Sequence, residues 1–212
     1  MLIVNFKAYS QGTGRDSVEL AEKCIAAARD TGEKLILSVQ PEDLLRLEEK
    51  DVEVFAQHID PVEPGSHTGH VLAEGVRDAG ASGTLINHSE RRLEKEEIEQ
   101  AVERAEELGL TTVVCAQSPE ECEELSELEP DYIAFEPPEL IGGDVAVSTA
   151  KPELIDEAVE RSEVEVLAGA GIKDTEDVER AIEQGCSGVL VASGVVKAGD
   201  PEESARRLME GL

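Results

Sequence analysis

Five short segments of the chain carry residue types that could together move a proton on a small substrate. They are Asn5-Phe6-Lys7, Asn87-His88-Ser89-Glu90-Arg91, Phe135-Glu136-Pro137-Pro138-Glu139-Leu140-Ile141-Gly142, Gly169-Ala170-Gly171 and Ala192-Ser193-Gly194. Each closes or follows a short aliphatic run, which predicts a position at the C-terminal end of a strand, where barrel enzymes keep their catalytic groups. The set supplies a cation, a neutral hydrogen-bond donor, a carboxylate base and two glycine-rich turns. This combination favours proton abstraction next to a carbonyl on a phosphorylated substrate.

Glu136 is the sharpest single signal. It ends an apolar run and is followed by Pro137 and Pro138, which fix the backbone. Most carboxylates of this chain are expected to solvate its surface, whereas a carboxylate at the end of a buried strand is interpreted as a base. The sequence after the prolines predicts a segment that is stiff where it begins and flexible at Gly142 and Gly143. That pattern is typical of a lid that closes over bound phosphate.

Lys7 is the candidate cation and His88 the candidate hydrogen-bond donor, and each also has a structural interpretation. A lysine just past a strand is often only a solvated strand end. Asn5, an amide inside an apolar run, needs a hydrogen-bond partner and could hold Lys7 in place. His88 shares its strand end with Glu90 and other polar residues, and a neutral imidazole there could donate to a substrate oxygen. A helix N-terminus would supply the positive environment that keeps it neutral.

The two glycine-rich turns are candidate phosphate sites. Gly169 and Gly171 follow the seventh predicted strand, and Ser193 and Gly194 follow the eighth. Small residues let backbone N–H groups approach a phosphate, and the loops after these two strands are the usual phosphate site of barrel enzymes. Simple tight turns remain the alternative interpretation.

These residues would be positioned by a repeating strand and helix. The predicted strands are residues 2–6, 35–39, 53–57, 83–86, 112–115, 132–135, 164–168 and 188–191. The predicted amphipathic helices are residues 17–28, 72–79, 96–108, 119–128, 152–161, 175–184 and 201–209. Dividing 212 residues among eight units gives about 26 residues each, close to one strand–helix unit of a parallel sheet.

Eight such units close naturally into a barrel. We therefore predict the α/β class and a parallel (β/α)8 barrel that occupies residues 1–212 as a single domain. An open doubly wound sheet is the alternative fold, and the absence of a GxGxxG motif after the first strand argues against it.

The charge of the chain is extreme. Asp and Glu number 48 against 19 Lys and Arg, for a formal net charge of -29, and only 2% of residues are aromatic. Such a surface repels nucleic acid and anionic lipid, so neither is expected as a partner. Abundant carboxylates with few aromatic residues favour adaptation to a salt-loaded cytoplasm, that is, a halophilic protein. A merely acidic protein from an ordinary cytoplasm is the alternative.

The composition also indicates which cellular compartment and which cofactors to expect. No apolar run approaches the roughly 18 residues of a membrane span, and the N-terminal residues lack a basic region followed by a cleavage site. A soluble cytoplasmic protein is therefore expected. Cys24, Cys115, Cys122 and Cys186 lack the spacing of metal ligands, so we expect free thiols, no metal and no cofactor.

The whole chain resembles the triosephosphate isomerases of the shorter archaeal type, with the family's motifs in order. The resemblance implies that Asn5, Phe6 and Lys7 contact a small phosphorylated triose, that His88 is the neutral electrophile and that Glu136 moves the proton. It further implies a supporting role for Glu90, a structural role for Cys115, and phosphate contacts from Ile141, Gly142, Gly171, Ala192 and Ser193. Residues 60–70 correspond to a loop that inserts into a neighbouring subunit, so a homodimer or homotetramer is implied.

Two other functions are compatible with parts of the pattern. Another phosphate-binding (β/α)8 sugar-phosphate isomerase or epimerase would share the last two loops, but it would not need Asn5 and Lys7 together with His88. A catalytically silent barrel that binds phosphate as a sensor would need none of the three.

Overall fold

The computed structural model describes residues 1–138 and 152–212, and their strands form a closed barrel. The strands are β1 (Leu2–Asn5), β2 (Leu35–Val39), β3 (Glu53–Ala56), β4 (Gly83–Ile86), β5 (Thr111–Ala116), β6 (Tyr132–Phe135), β7 (Glu165–Ala168) and β8 (Gly188–Val191). Each pairs in parallel with the next, and β8 returns to β1 with Val189 opposite Leu2. The predicted (β/α)8 barrel is confirmed, and the open sheet is excluded.

The strands are short aliphatic runs because both of their faces are buried. Alternate side chains fill the barrel interior, while the others pack outward under the helices. The interior set is Ile3, Ile36, Phe55, Leu85, Val113, Cys115, Ala134, Leu167 and Leu190. With so few aromatic residues available, Val, Leu, Ile and Ala form most of the outer layer as well.

Helices follow the strands around the outside. The described α-helices are Arg15–Thr31, Leu44–Leu47, Ala73–Asp78, Lys95–Glu107, Pro119–Ser126, Pro152–Arg161, Thr175–Glu183, Ser193–Val196 and Pro201–Met209. Asp174 caps the helix Thr175–Glu183, because its carboxylate accepts the N–H of Asp177 at 3.0 Å. The two four-residue helices, Leu44–Leu47 and Ser193–Val196, were not predicted, since one turn leaves no periodic pattern.

Two further features concern the thiols and the membrane. All four cysteines are free and buried, and burial raises the pKa of Cys24, Cys122 and Cys186 to about 12. Within the two described ranges, no helix combines the length and the apolar character that crossing a bilayer requires.

Candidate active site

A cavity of about 510 Å³ opens at the C-terminal ends of the strands. Its lining brings together Asn5, Lys7, His88, Glu90, Glu136, Gly171, Ala192 and Ser193, which were singled out in the sequence from five separated strand ends. The parallel barrel causes this convergence, because every strand ends at the same rim.

Asn5 and Lys7 form a locked pair at the end of β1. The buried Asn5 side chain accepts the Lys7 N–H through Oδ1 at 2.9 Å, and the Gln57 amide donates to the Lys7 carbonyl at 3.1 Å. Lys7 has a φ of 49°, in the left-handed region that ordinary residues avoid. A strained backbone held by two neighbours fixes where the Lys7 ammonium can reach.

Phe6 differs from its two neighbours. Its side chain is fully buried in the outer hydrophobic layer and lies outside the cavity lining. Side chains alternate along a strand, so a residue between Asn5 and Lys7 faces the helices. The structure therefore does not bring the Phe6 side chain, predicted to contact the substrate, into the site.

His88 is buried with one ring nitrogen already engaged. Its Nδ1 accepts the N–H of Glu90 at 3.1 Å, so a neutral ring carries its proton on Nε2. Burial and, after it, the charge of Lys7 lower the pKa of His88 to about 4. The helix that follows begins only at Lys95, so burial and Lys7 supply the effect that the sequence analysis assigned to a helix N-terminus.

Glu136 lies opposite the free nitrogen of His88. Its Oε1 is 3.5 Å from His88 Nε2, and its Oε2 is buried without a partner among the described residues. Burial raises the pKa of Glu136 to about 7, while the hydrogen bond from the Cys115 thiol and the charge of Lys7 act in the opposite direction. A buried carboxylate with an unused oxygen facing a cavity is suited to accept a proton near neutral pH.

Glu90, at the rim of the cavity, lies close to both Lys7 and His88. Its Oε1 is 3.1 Å from Lys7 Nζ, and its Oε2 is 3.8 Å from His88 Nδ1. The Glu90 side chain is 61% exposed, so water screens its charge. This geometry suits a carboxylate that orients Lys7 rather than one that reacts.

Several small residues line the cavity at the ends of β7 and β8. They include Gly171, Ala192 and Ser193, and Gly171 has a φ of 75°, where a side chain would be strained. Backbone groups are therefore accessible along this part of the wall, as a phosphate site requires. Ile141 and Gly142, which were predicted to contribute from a lid, lie outside the described residues.

Gly169 determines how closely β7 approaches the carboxylate. A Cβ atom at this position would lie 2.5 Å from Glu136 Cγ and 3.2 Å from the Phe135 carbonyl oxygen. The Gly169 N–H donates to that same oxygen at 2.9 Å, so the two strands cannot separate without losing a ladder bond. Only glycine allows the Glu136 side chain its present position.

We therefore expect Gly169→Ala to displace the Glu136 carboxylate without unfolding the barrel. A misplacement of about 1 Å at a reacting group can cost about 10²-fold in rate, so kcat should fall by one to two decades. Gly199→Ala is the matched control, because a Cβ there meets nothing within 4 Å. Steady-state kinetics and circular dichroism on both variants check this. An unchanged kcat in Gly169→Ala would contradict the role assigned to the close approach.

The comparison with protein families decides the identity. The family model for triosephosphate isomerase matches residues 1–208. The chain belongs to the triosephosphate isomerase family. It is therefore an enzyme, and its class is that of the isomerases.

Similar curated proteins carry the same family name. The triosephosphate isomerase of Methanosarcina acetivorans is 44% identical over 98% of this chain and 96% of its own length. That of Methanobacterium bryantii is 44% identical over 100% and 96%, and that of Methanocaldococcus jannaschii is 42% identical over 99% of each. The crystal structure of the triosephosphate isomerase from Bartonella henselae has a TM-score of 0.73 at 19% identity over 99% and 95% of the two chains. That likeness supports the shared barrel.

Two polar residues that line this isomerase's cavity were not singled out in the sequence. Tyr9 and Lys173 line the cavity, and the ammonium of Lys197 lies 3.8 Å above the Tyr9 ring. Lys173 stands two residues after Gly171, so a cation beside a predicted phosphate turn was a signal that could have been used. Tyr9 lies beyond the end of β1, and no local pattern marked it.

Proposed function

We propose that this isomerase interconverts D-glyceraldehyde 3-phosphate and dihydroxyacetone phosphate through an enediolate, with residues 1–212 acting as one catalytic domain. The observation that carries the proposal is the pairing of the buried Glu136 carboxylate with His88 Nε2 at 3.5 Å, beside the Lys7 ammonium. The names of the curated relatives support the choice of substrate.

In the proposed mechanism Glu136 removes the proton from the carbon next to the carbonyl and returns it to the neighbouring carbon. The N–H of His88 Nε2 donates to the carbonyl oxygen as negative charge develops there. These roles are those established for this family, and the geometry of the present chain accommodates them. A carboxyl pKa of about 7 is close to the pH at which such a base works best.

Lys7 and the wall of small residues would bind the charged parts of the substrate. Lys7 supplies a fixed positive charge toward the developing enediolate, and the backbone at Gly171, Ala192 and Ser193 holds the phosphate. Ile141 and Gly142 are proposed to complete the phosphate grip as a lid. Excluding water then prevents the enediolate from expelling its phosphate.

A coupled assay with glyceraldehyde 3-phosphate in several molar KCl tests the function directly. Turnover to dihydroxyacetone phosphate supports the proposal. Turnover of other sugar phosphates alone would indicate an epimerase or a different isomerase. Saturable phosphate binding without turnover would indicate a silent barrel.

The pH profile of kcat/KM should show an acid limb. Glu136 must be ionised to accept a proton, and its pKa in the free enzyme is about 7. Activity should therefore fall as the pH decreases through about 7, while His88, with a pKa of about 4, stays neutral across that limb. Initial rates between pH 5 and 9 at constant ionic strength, fitted to a single protonation, measure this.

Cys115→Ala provides the control for the pH profile. The Cys115 thiol hydrogen bond lowers the pKa of Glu136, so its removal should shift the acid limb to higher pH. Titration of the substrate phosphate cannot respond to a protein variant. If the acid limb lies at the same pH in both proteins, the titrating group is the substrate phosphate and not Glu136.

We also propose a cytoplasmic homo-oligomer, either dimeric or tetrameric, with no nucleic-acid or membrane partner. One apolar side chain that a subunit contact would cover is that of Leu45, which is 66% exposed. It lies on the short helix Leu44–Leu47, whose Leu44 lines a groove together with Gly69 and His70 of the loop implied in subunit contact.

The net charge of -29 supports a halophilic enzyme. We expect activity and thermal midpoint to rise together from dilute buffer to about 2 M KCl, because the screening length falls to roughly 3 Å at 1 M salt and removes like-charge repulsion. Thermal melts and light scattering across a salt series check this, with matched sucrose solutions as a non-ionic control. Full activity and unchanged size after days in salt-free buffer would contradict it.

A further inference from the structure

Asn87 is one of three described residues other than glycine with a left-handed backbone. The others are Lys7, in the active site, and Glu129, with φ values of 49° and 53°, while Asn87 has a φ of 61° and no exposed surface. Such a conformation persists only where the surroundings impose it. At Asn87 it reverses the chain between the end of β4 and His88.

The side chain of Asn87 connects two structures through one amide group. Its Nδ2 donates to the Cys115 carbonyl in β5 at 2.9 Å, and its Oδ1 accepts the N–H of Leu93 at 3.0 Å. The Asn87 carbonyl accepts from Arg92 Nη1 at 3.3 Å. Residues 88–93 are therefore closed into a loop that the amide attaches to the neighbouring strand.

Both reacting groups depend on the structures that this amide joins. His88 lies inside the closed loop, where the Glu90 N–H fixes its ring. Cys115, whose carbonyl takes the Asn87 bond, lies beside the Glu136 carboxylate, and its thiol lowers the pKa of that group. The Glu136 N–H also donates to Ala116 in the same strand at 2.7 Å. The Asn87 amide therefore links the loop that carries His88 to strand β5, which contacts Glu136.

We propose that Asn87 is a positioning residue that holds His88 Nε2 in register with Glu136, an inference that rests on the proposed isomerase function. Asn87 is absent from the cavity lining, so it acts through His88 and β5 and not through the substrate. Its contribution is therefore to kcat, since substrate binding uses groups that it does not contact.

Asn87→Gly isolates the amide. Glycine adopts the left-handed backbone freely, so the variant removes the side-chain bonds without adding backbone strain. We expect kcat per folded molecule to fall about 10- to 100-fold, with KM for glyceraldehyde 3-phosphate changing less than about threefold. Glu129→Gly is the control, because it also introduces glycine at a left-handed residue, but one that lies outside the site.

A spectroscopic readout separates positioning from stability. ¹⁵N NMR of the His88 ring should show one neutral tautomer, protonated at Nε2, in the wild type and in Glu129→Gly. In Asn87→Gly it should show a mixture of tautomers. A merely structural role would lower the thermal midpoint but leave the kcat of folded protein and the His88 spectrum unchanged, and that result would overturn the proposal.

Asn87→Asp is the second variant in case the first does not fold. Aspartate tolerates a left-handed backbone and keeps an acceptor for the Leu93 N–H, but it offers no donor to the Cys115 carbonyl. We expect about a tenfold loss of kcat, and wild-type kcat would overturn the proposal. A wild-type enzyme without isomerase activity would instead reject the proposed function, so the two failures are distinguishable.

Discussion

Replacing Glu136 with glutamine is expected to lower kcat by about 10²–10⁴-fold while the barrel stays folded. Glutamine has nearly the same shape but cannot accept the substrate proton at neutral pH. The fold should survive because Glu136 Oε2 is buried and has no hydrogen-bond partner among the described residues, so the substitution breaks no bond at that atom. Removing a carboxylate that burial opposes should even raise the thermal midpoint slightly.

Glu165→Gln is the control for this prediction. It makes the same chemical change at an exposed residue at the start of β7, at the opposite end of the barrel. Kinetics and thermal melts on both variants should show a loss of turnover confined to Glu136→Gln. A Glu136→Gln variant that keeps most of its turnover would reject the assignment of the base.

Lys7→Ala should give the second largest effect, with kcat reduced about 10²–10³-fold and KM raised. The ammonium is the fixed positive charge that we propose faces the enediolate. It also lowers the pKa of both His88 and Glu136, so its removal should raise both pKa values. The acid limb of kcat/KM should therefore move to higher pH in this variant.

Lys34→Ala is its matched control. Lys34 Nζ lies 3.1 Å from Glu53 Oε1, the same separation as between Lys7 Nζ and Glu90 Oε1, but at the N-terminal end of the barrel. Losing such a surface pair changes stability little and should leave turnover intact. Equal kinetic effects in the two variants would mean that Lys7 acts only through the overall charge.

Much of the fold was predictable because its determinants are local. Strands buried on both faces must be aliphatic, and Gly83–Ile86 and Gly188–Val191 were predicted with the bounds that the structure shows. The predicted positions of Lys7, His88 and Glu136 at one rim follow from the parallel topology alone. Their catalytic roles stay predictions, which the variants above would test.

The rest depends on contacts between distant parts of the chain. The sequence suggested a helix N-terminus as the reason that His88 stays neutral, whereas burial and the charge of Lys7 lower its pKa. In the sequence, Asn87 could not be distinguished from the other polar residues at its strand end. Its bond to Cys115 joins residues 28 positions apart, and no local pattern reveals such a contact. Phe6 was grouped with Asn5 and Lys7 because the three residues are consecutive. Alternate side chains of a strand face opposite sides, so the side chain of Phe6 points away from the site.

The reactivity of the four buried thiols can be used to measure local opening of the structure. With pKa values of about 12 at Cys24, Cys122 and Cys186, almost no thiolate forms at neutral pH, so an alkylating reagent reacts only when a segment opens to solvent. Cys24 lies in the helix Arg15–Thr31, Cys115 in the barrel interior, and Cys122 and Cys186 near each other in a further part of the outer layer. Labelling each thiol over time, resolved by peptide mass, would therefore give separate opening free energies for different sectors of the barrel as salt is withdrawn.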